Sequence, residues 1–147
     1  MFKPLLLPEQ IHQKQTWGQL YGSSLPLAVA EYCQYIKGVK LLVTPDNLSA
    51  NQLREELRFF LNDENAVELL LFPDWETLPY DNFSPHQDII SERLYTLSRM
   101  QQTSNAIVIS AISTLMHRLC PQQFLNHHGL ILQEEQTLHI ESFREKL

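Results

Sequence analysis

Three short apolar runs limit what this chain can become: "VKLLVTP" from Val39 to Pro45, "VELLLF" from Val67 to Phe72, and "AIVIS" from Ala106 to Ser110. A strand with one wet face alternates apolar and polar residues, whereas these runs are almost continuously apolar, the pattern of strands buried on both faces. Helix-length segments separate them. Strands of this kind joined by helices predict an α/β domain, with a parallel sheet flanked by helices.

The intervening segments carry helix signals. "SLPLAVAEYCQYIKG" offers Ser24 as a cap and Pro26 in the first turn. Leu27, Ala30, Cys33 and Ile36 follow at helical spacing, with Gly38 as the stop. "DNLSANQLREELRFFL" places Asp46 as a cap, with Leu53, Leu57, Phe60 and Leu61 on one face. Its charged residues Arg54, Glu55, Glu56 and Arg58 are spaced for i,i+3 and i,i+4 pairing on a solvated face. "SPHQDIISERLYTLSRM" reads as a capping box: Ser84 as cap, Pro85 first and Gln87 third in the helix. Ile90, Leu94 and Leu97 form its apolar stripe, flanked by Ile89 and Met100. A short helix capped by Ser113 and another from near Pro121 complete the pattern.

An apolar content of 44% in 147 residues is enough for one core, and no apolar run approaches the roughly 20 residues that cross a bilayer. The N-terminus lacks a secretory pattern, so a cytoplasmic location without membrane association is expected. Cys33 and Cys120 read as reduced thiols. Seventeen acidic against eleven basic residues give a net charge of −6, and the basic ones are scattered, which argues against tight nucleic-acid binding by this chain alone. Adjacent His127 and His128 would diverge on extended chain and do not suggest a metal site, and the chain has no zinc-type cysteine pair and no nucleophile-elbow motif.

The turn before the first helix stands where a parallel-sheet protein can hold phosphate. A working loop reads G-x-x-x-x-G-K-[ST], with glycines curling backbone N–H groups around the phosphates and a lysine neutralising them. With Gly22 as the second glycine, "WGQLYGSS" puts Trp17 in place of the first glycine, Gly18 beside it, and Ser23 in place of the lysine. Only the hydroxyl position is kept, by Ser24. An indole at the pinch and no cation predict no nucleotide site, leaving Ser23 and Ser24 as helix caps.

The segment after the second strand crowds carboxylates, prolines and rings. Asp74, Glu76 and Asp81 with a platform of Trp75 and Tyr80 could form a paired-carboxylate site. Alternatively, Pro73, Pro79 and Pro85 fix the backbone, Trp75, Tyr80 and Phe83 bury rings over the sheet edge, and the carboxylates accept loop N–H bonds or pair with Arg93. A contact surface is the further alternative.

"DWETLPYDNFSPHQDIISERL" followed by "STLMHRLCP" resembles the N-terminal region of the bacterial transcription-repair coupling factor family, Mfd, and the likeness runs over nearly the whole chain. That region is similar to the excision-repair protein UvrB. The resemblance implies a RecA-like domain of the UvrB domain 1a type over residues 1–126, without a functional Walker A loop. Residues 127–147 would begin an inserted domain that carries a UvrA-binding surface. "LILQ" then reads as a weak strand, and "IESFREKL" as a helix that stops at Leu147 without a cap, with Leu138, Ile140, Phe143 and Leu147 short of partners. UvrB also grips DNA with a long aromatic hairpin, where this chain has only Asp74 to Ser84. The implied role is a scaffold that makes no bonds and needs no cofactor. ATP and magnesium would serve a C-terminal translocase motor in the full protein. The implied partners are the other domains of that protein, UvrA through the inserted domain, and RNA polymerase and DNA through further domains. A divergent P-loop NTPase, or an α/β hydrolase using loop 74–81, is the enzymatic alternative, and a UvrB-like damage loader a third.

Overall fold

The computed structural model describes residues 14–61, 67–78, 80–128 and Arg144. Three parallel strands form the sheet: β1 (Gly38–Thr44), β2 (Glu68–Leu71) and β3 (Asn105–Ala111), in the order β1-β3-β2. Val39 and Glu68 both stand level with Ala106, and Leu41 and Leu70 with Val108. The helices are α1 (Ser24–Tyr35), α2 (Asn47–Phe60), α3 (Gln87–Gln102), α4 (Ile112–Leu115) and α5 (Gln122–His128). This is the expected α/β architecture, a RecA-like parallel sheet flanked by helices.

Side chains alternate across β3 and divide the core in two. On one face Ile107 and Ile109 pack with Val29, Ala30 and Cys33 of α1 and with Ala50 and Leu57 of α2. Leu42, Leu53, Phe60, Leu61, Leu69 and Leu71 gather around them. On the other face Ala106, Val108, Leu70 and Phe72 meet Leu97 and Met100 of α3. The apolar face expected for α2 is therefore the one buried, and full burial of Leu57 alone stabilises the fold by roughly 2 kcal/mol. Asp46 caps α2 as expected, its carboxylate accepting the Ser49 N–H at 2.7 Å. That bond holds the Asp46 carboxyl below its ordinary range.

Four local expectations are corrected. Only β3 is buried on both faces: Val39, Leu41 and Val43 of β1 remain about half exposed, because α3 covers the β2–β3 side of that face. Helix α3 starts two residues later than the capping box implies. His86, extended at φ −61° and ψ 141°, is the N-cap and its Nδ1 accepts the Asp88 N–H, so Ser84 and Pro85 lie outside the helix. Leu94 is exposed, and the buried positions of α3 are Arg93 and Thr96. Ser113 lies inside α4, whose N-cap is Ala111.

Arg54 and Arg58 both reach Glu55, and Arg54 also lies 3.8 Å from Glu92. His127 and His128 lie on α5 rather than on extended chain, and His127 is exposed. Cys33 and Cys120 are free, and burial raises the Cys33 thiol pKa. Among the described residues no helix is long and apolar enough to cross a membrane. The strand expected at 130–133 lies outside the described residues, and so does the helix expected from Ile140 apart from Arg144.

Candidate functional site

Two places could carry function: the start of α1 and the C-terminal edge of β2 and β3. At the first, Trp17 is partly buried and packs against the α1–α2 core. Its ring meets Tyr32 edge-on, with centroids 5.4 Å apart and planes at 69°. Gly22 takes φ +55°, a left-handed conformation that favours glycine. The chain then enters α1 through a turn in which the Ser24 N–H and hydroxyl both donate to the Tyr21 carbonyl, at 3.2 and 2.7 Å. Ser24 is thus the first helical residue, not the cap. Ser23 occupies the N-cap position, but its side chain makes no capping bond.

At the second place, a buried arginine organises the loop after β2. Arg93 is 3% exposed. Its guanidinium carbon lies 4.1 Å from the Phe72 ring centroid and 4.0 Å from that of Trp75, and Nη1 donates to the Pro73 carbonyl. Stacking between two rings suits a planar, weakly hydrated cation and offsets part of its desolvation. Burial lowers the Arg93 pKa, and the Asp74 carboxylate opposes that shift. Around this centre the backbone is pinned to its neighbours. The Phe72 N–H donates to the Ile109 carbonyl at 2.8 Å, the Thr96 hydroxyl to the Leu71 carbonyl at 2.8 Å, and the Ser110 hydroxyl to the Phe72 carbonyl at 3.2 Å.

Asp74 ties two elements together. Its Oδ1 accepts the Trp75 N–H, and its Oδ2 accepts the Ser113 hydroxyl of α4 at 3.0 Å. Burial pushes this carboxyl pKa up. The Ser113 hydroxyl, the Trp75 N–H, the Thr114 hydroxyl and His117 outweigh burial, and the net shift is downward. The Thr114 hydroxyl nevertheless has no partner within hydrogen-bond geometry among the described residues, so its effect on Asp74 is one of proximity.

The remaining predicted residues diverge. Asp81 accepts the Leu78 N–H at 3.0 Å, closing its own turn, and Glu76 is exposed. Neither they nor Asp74 forms an ion pair with Arg93 among the described residues. Trp75 is partly covered, but Tyr80 and Phe83 do not bury rings over the sheet edge: both point into solvent, because Arg93 provides a stacking surface only for Trp75 and Phe72. Among the described residues no three His, Cys, Asp or Glu side chains converge as a metal group. Sequence reading missed Ser113 and Thr114 as neighbours of Asp74. The one available hint was a polar pair beginning two residues beyond the third strand.

A parallel sheet with α1 and α2 on one face and α3 on the other defines the class as a RecA-like α/β domain. No family model matches the chain. It is 39% identical over 141 residues to the transcription-repair-coupling factor of Haemophilus influenzae, a match over 96% of this chain and 12% of that protein. Identity to the Escherichia coli transcription-repair-coupling factor is 38% over 141 residues, with the same coverage. The Mycobacterium tuberculosis counterpart is 34% identical over 93 residues, 58% of this chain and 7% of its own length. The chain belongs to the transcription-repair coupling factor family. It spans about an eighth of the length of the curated relatives that match most of it.

Proposed function

We propose that this region is a non-catalytic scaffold within a transcription-repair coupling factor. In that reading the complete protein displaces RNA polymerase stalled at DNA lesions, using ATP and magnesium in a separate motor. It recruits UvrA through the domain that follows this one. The supporting observation is the use made of Trp17: where a phosphate loop needs a glycine, this chain has a partly buried indole packed against the α1–α2 core and edge-on to Tyr32. The second place supports the same reading. Asp74 and Asp81 are taken up by hydrogen bonds that hold loops in place, and Arg93 is stacked and buried. A framework must also be joined to something. The half-exposed apolar face of Val39, Leu41 and Val43 suits cover by the remainder of a UvrB-like first domain.

The test compares UvrA binding by this chain and by one extended through the next domain. The extended chain should bind saturably and this one weakly or not at all. Failure of the extended chain to bind rejects the scaffold role.

A further inference from the structure

β1 is an edge strand that lacks the devices by which sheets close an edge. All seven of its residues pair with β3 on one side, and among the described residues no strand lies on the other. Alternate backbone N–H and C=O groups along that outer side face away from the sheet with no ladder partner. Natural sheets guard such a row with proline, an exposed lysine, a bulge or a very short strand. Residues 38–44 contain no proline, and their one charge is turned inward: Lys40 donates to the Asn105 side chain of β3 at 2.5 Å. The register from Gly38 opposite Asn105 to Thr44 opposite Ala111 runs without a bulge. The opposite edge is guarded. β2 has only four residues, and its Glu68 is held by two bonds from Arg99 of α3.

The same strand leaves a face open. Val39 stands level with Ala106, Leu41 with Val108 and Val43 with Ser110. Alternation puts these three on the α3 side of the sheet, in line with the cluster of Leu70, Phe72, Ala106 and Val108. They are 43%, 52% and 49% exposed. A helix laid on this face alone would cover the side chains and leave the backbone row bare. A further strand with its crossover helix meets both needs, because the strand completes the row and the helix lies on the sheet face.

We propose that the outer edge of β1 receives a further β-strand from the part of the protein outside this chain, so that β1 becomes an interior strand. The matched region is 12% of the length of the Haemophilus influenzae and Escherichia coli relatives, so a protein of this family has ample chain to supply it. A second copy is the poorer occupant, since each chain carries a net charge of −6. The proposal rests on the scaffold reading and deepens it by naming how the framework is joined. UvrA binding by the extended chain tests that reading without reporting on the β1 edge, so the two fail separately.

The test is hydrogen exchange of residues 38–44, compared between this 147-residue chain and the full-length protein. In this chain about half of the β1 amides should exchange fast, the outward half, and in the full-length protein all should be slow. L41K serves as the second reading. Leu41 is half exposed here, so L41K should leave the melting temperature of this chain within about 3 °C. In the full-length protein it places an ammonium group in the covered face and should restore fast exchange to the outward half. Equal exchange of β1 in the two proteins overturns the proposal, as does full protection in the L41K full-length protein. Protection in the short chain that grows with its concentration assigns the edge to a second copy and also overturns it.

Discussion

The Arg93 guanidinium is held between the rings of Phe72 and Trp75, at 4.1 and 4.0 Å, and donates to the Pro73 carbonyl, so one side chain of α3 fixes the path of the chain leaving β2. Removing it leaves that carbonyl without its donor and both rings without their plate. R93A should lose about 2–4 kcal/mol in urea unfolding, and R93K should recover less than half of the loss, because an ammonium cannot stack as a plane. Full recovery by lysine would mean that charge rather than shape matters at this position.

Trp17 offers a second test. If the indole serves the core, W17G, which supplies the residue a phosphate loop needs at that place, should destabilise the fold by about 2 kcal/mol and should not create ATP binding. A W17G chain of parental stability would show that the packing against Tyr32 contributes nothing.

Glu68 and Arg99 make a two-bond pair, 2.7 and 2.8 Å long, between the start of β2 and the last turn of α3. The hydrogen bonds from Arg99 depress the Glu68 pKa, against the effect of burial. Ser113 and its neighbours depress that of Asp74 in the same way, again against burial. A carboxyl whose folded pKa is below its unfolded value contributes stability above the unfolded pKa and loses it as pH falls through the folded one. E68Q should therefore be less stable than the parent at neutral pH. The difference should close on acidification through and below the ordinary carboxylate range. A difference that stays constant with pH rules out the ion pair as its source.

The link between Asp74 and Ser113 joins the loop after β2 to α4. S113A should cost about 1 kcal/mol, and D74A should cost less in the S113A background than in the parent. Strict additivity of the two substitutions would show that the 3.0 Å contact carries no coupling.

How much of this was legible in the sequence depends on which forces set each feature. The strands, the α2 face around Leu57 and the Asp46 cap were readable because periodicity and local capping chemistry determine them. The start of α3 was not, since Ser84-Pro85 and His86 offer competing caps, and the choice falls to the loop that Arg93 holds in place. Nor was Arg93 as a core residue: an arginine in a helix is ordinarily solvated, and the two rings that bury it arrive from a segment some twenty residues earlier. The half-open face of β1 escaped notice for a related reason. Its composition matches a strand covered on both sides, but in this region α3 covers only part of that face. At the candidate site the residue types were visible, while their division into pinned carboxylates and presented rings required the tertiary arrangement.

The claim that the fold is kept as framework without nucleotide chemistry is tested most directly by titrating the purified chain with a fluorescent ATP analogue at millimolar magnesium. The expected result is no saturable signal, for the parent and for S23K, which adds a cation at the lysine position while Trp17 still fills the pinch. Saturable, magnesium-dependent binding by the parent chain, abolished by substitution of Gly22 or Ser24, would contradict it.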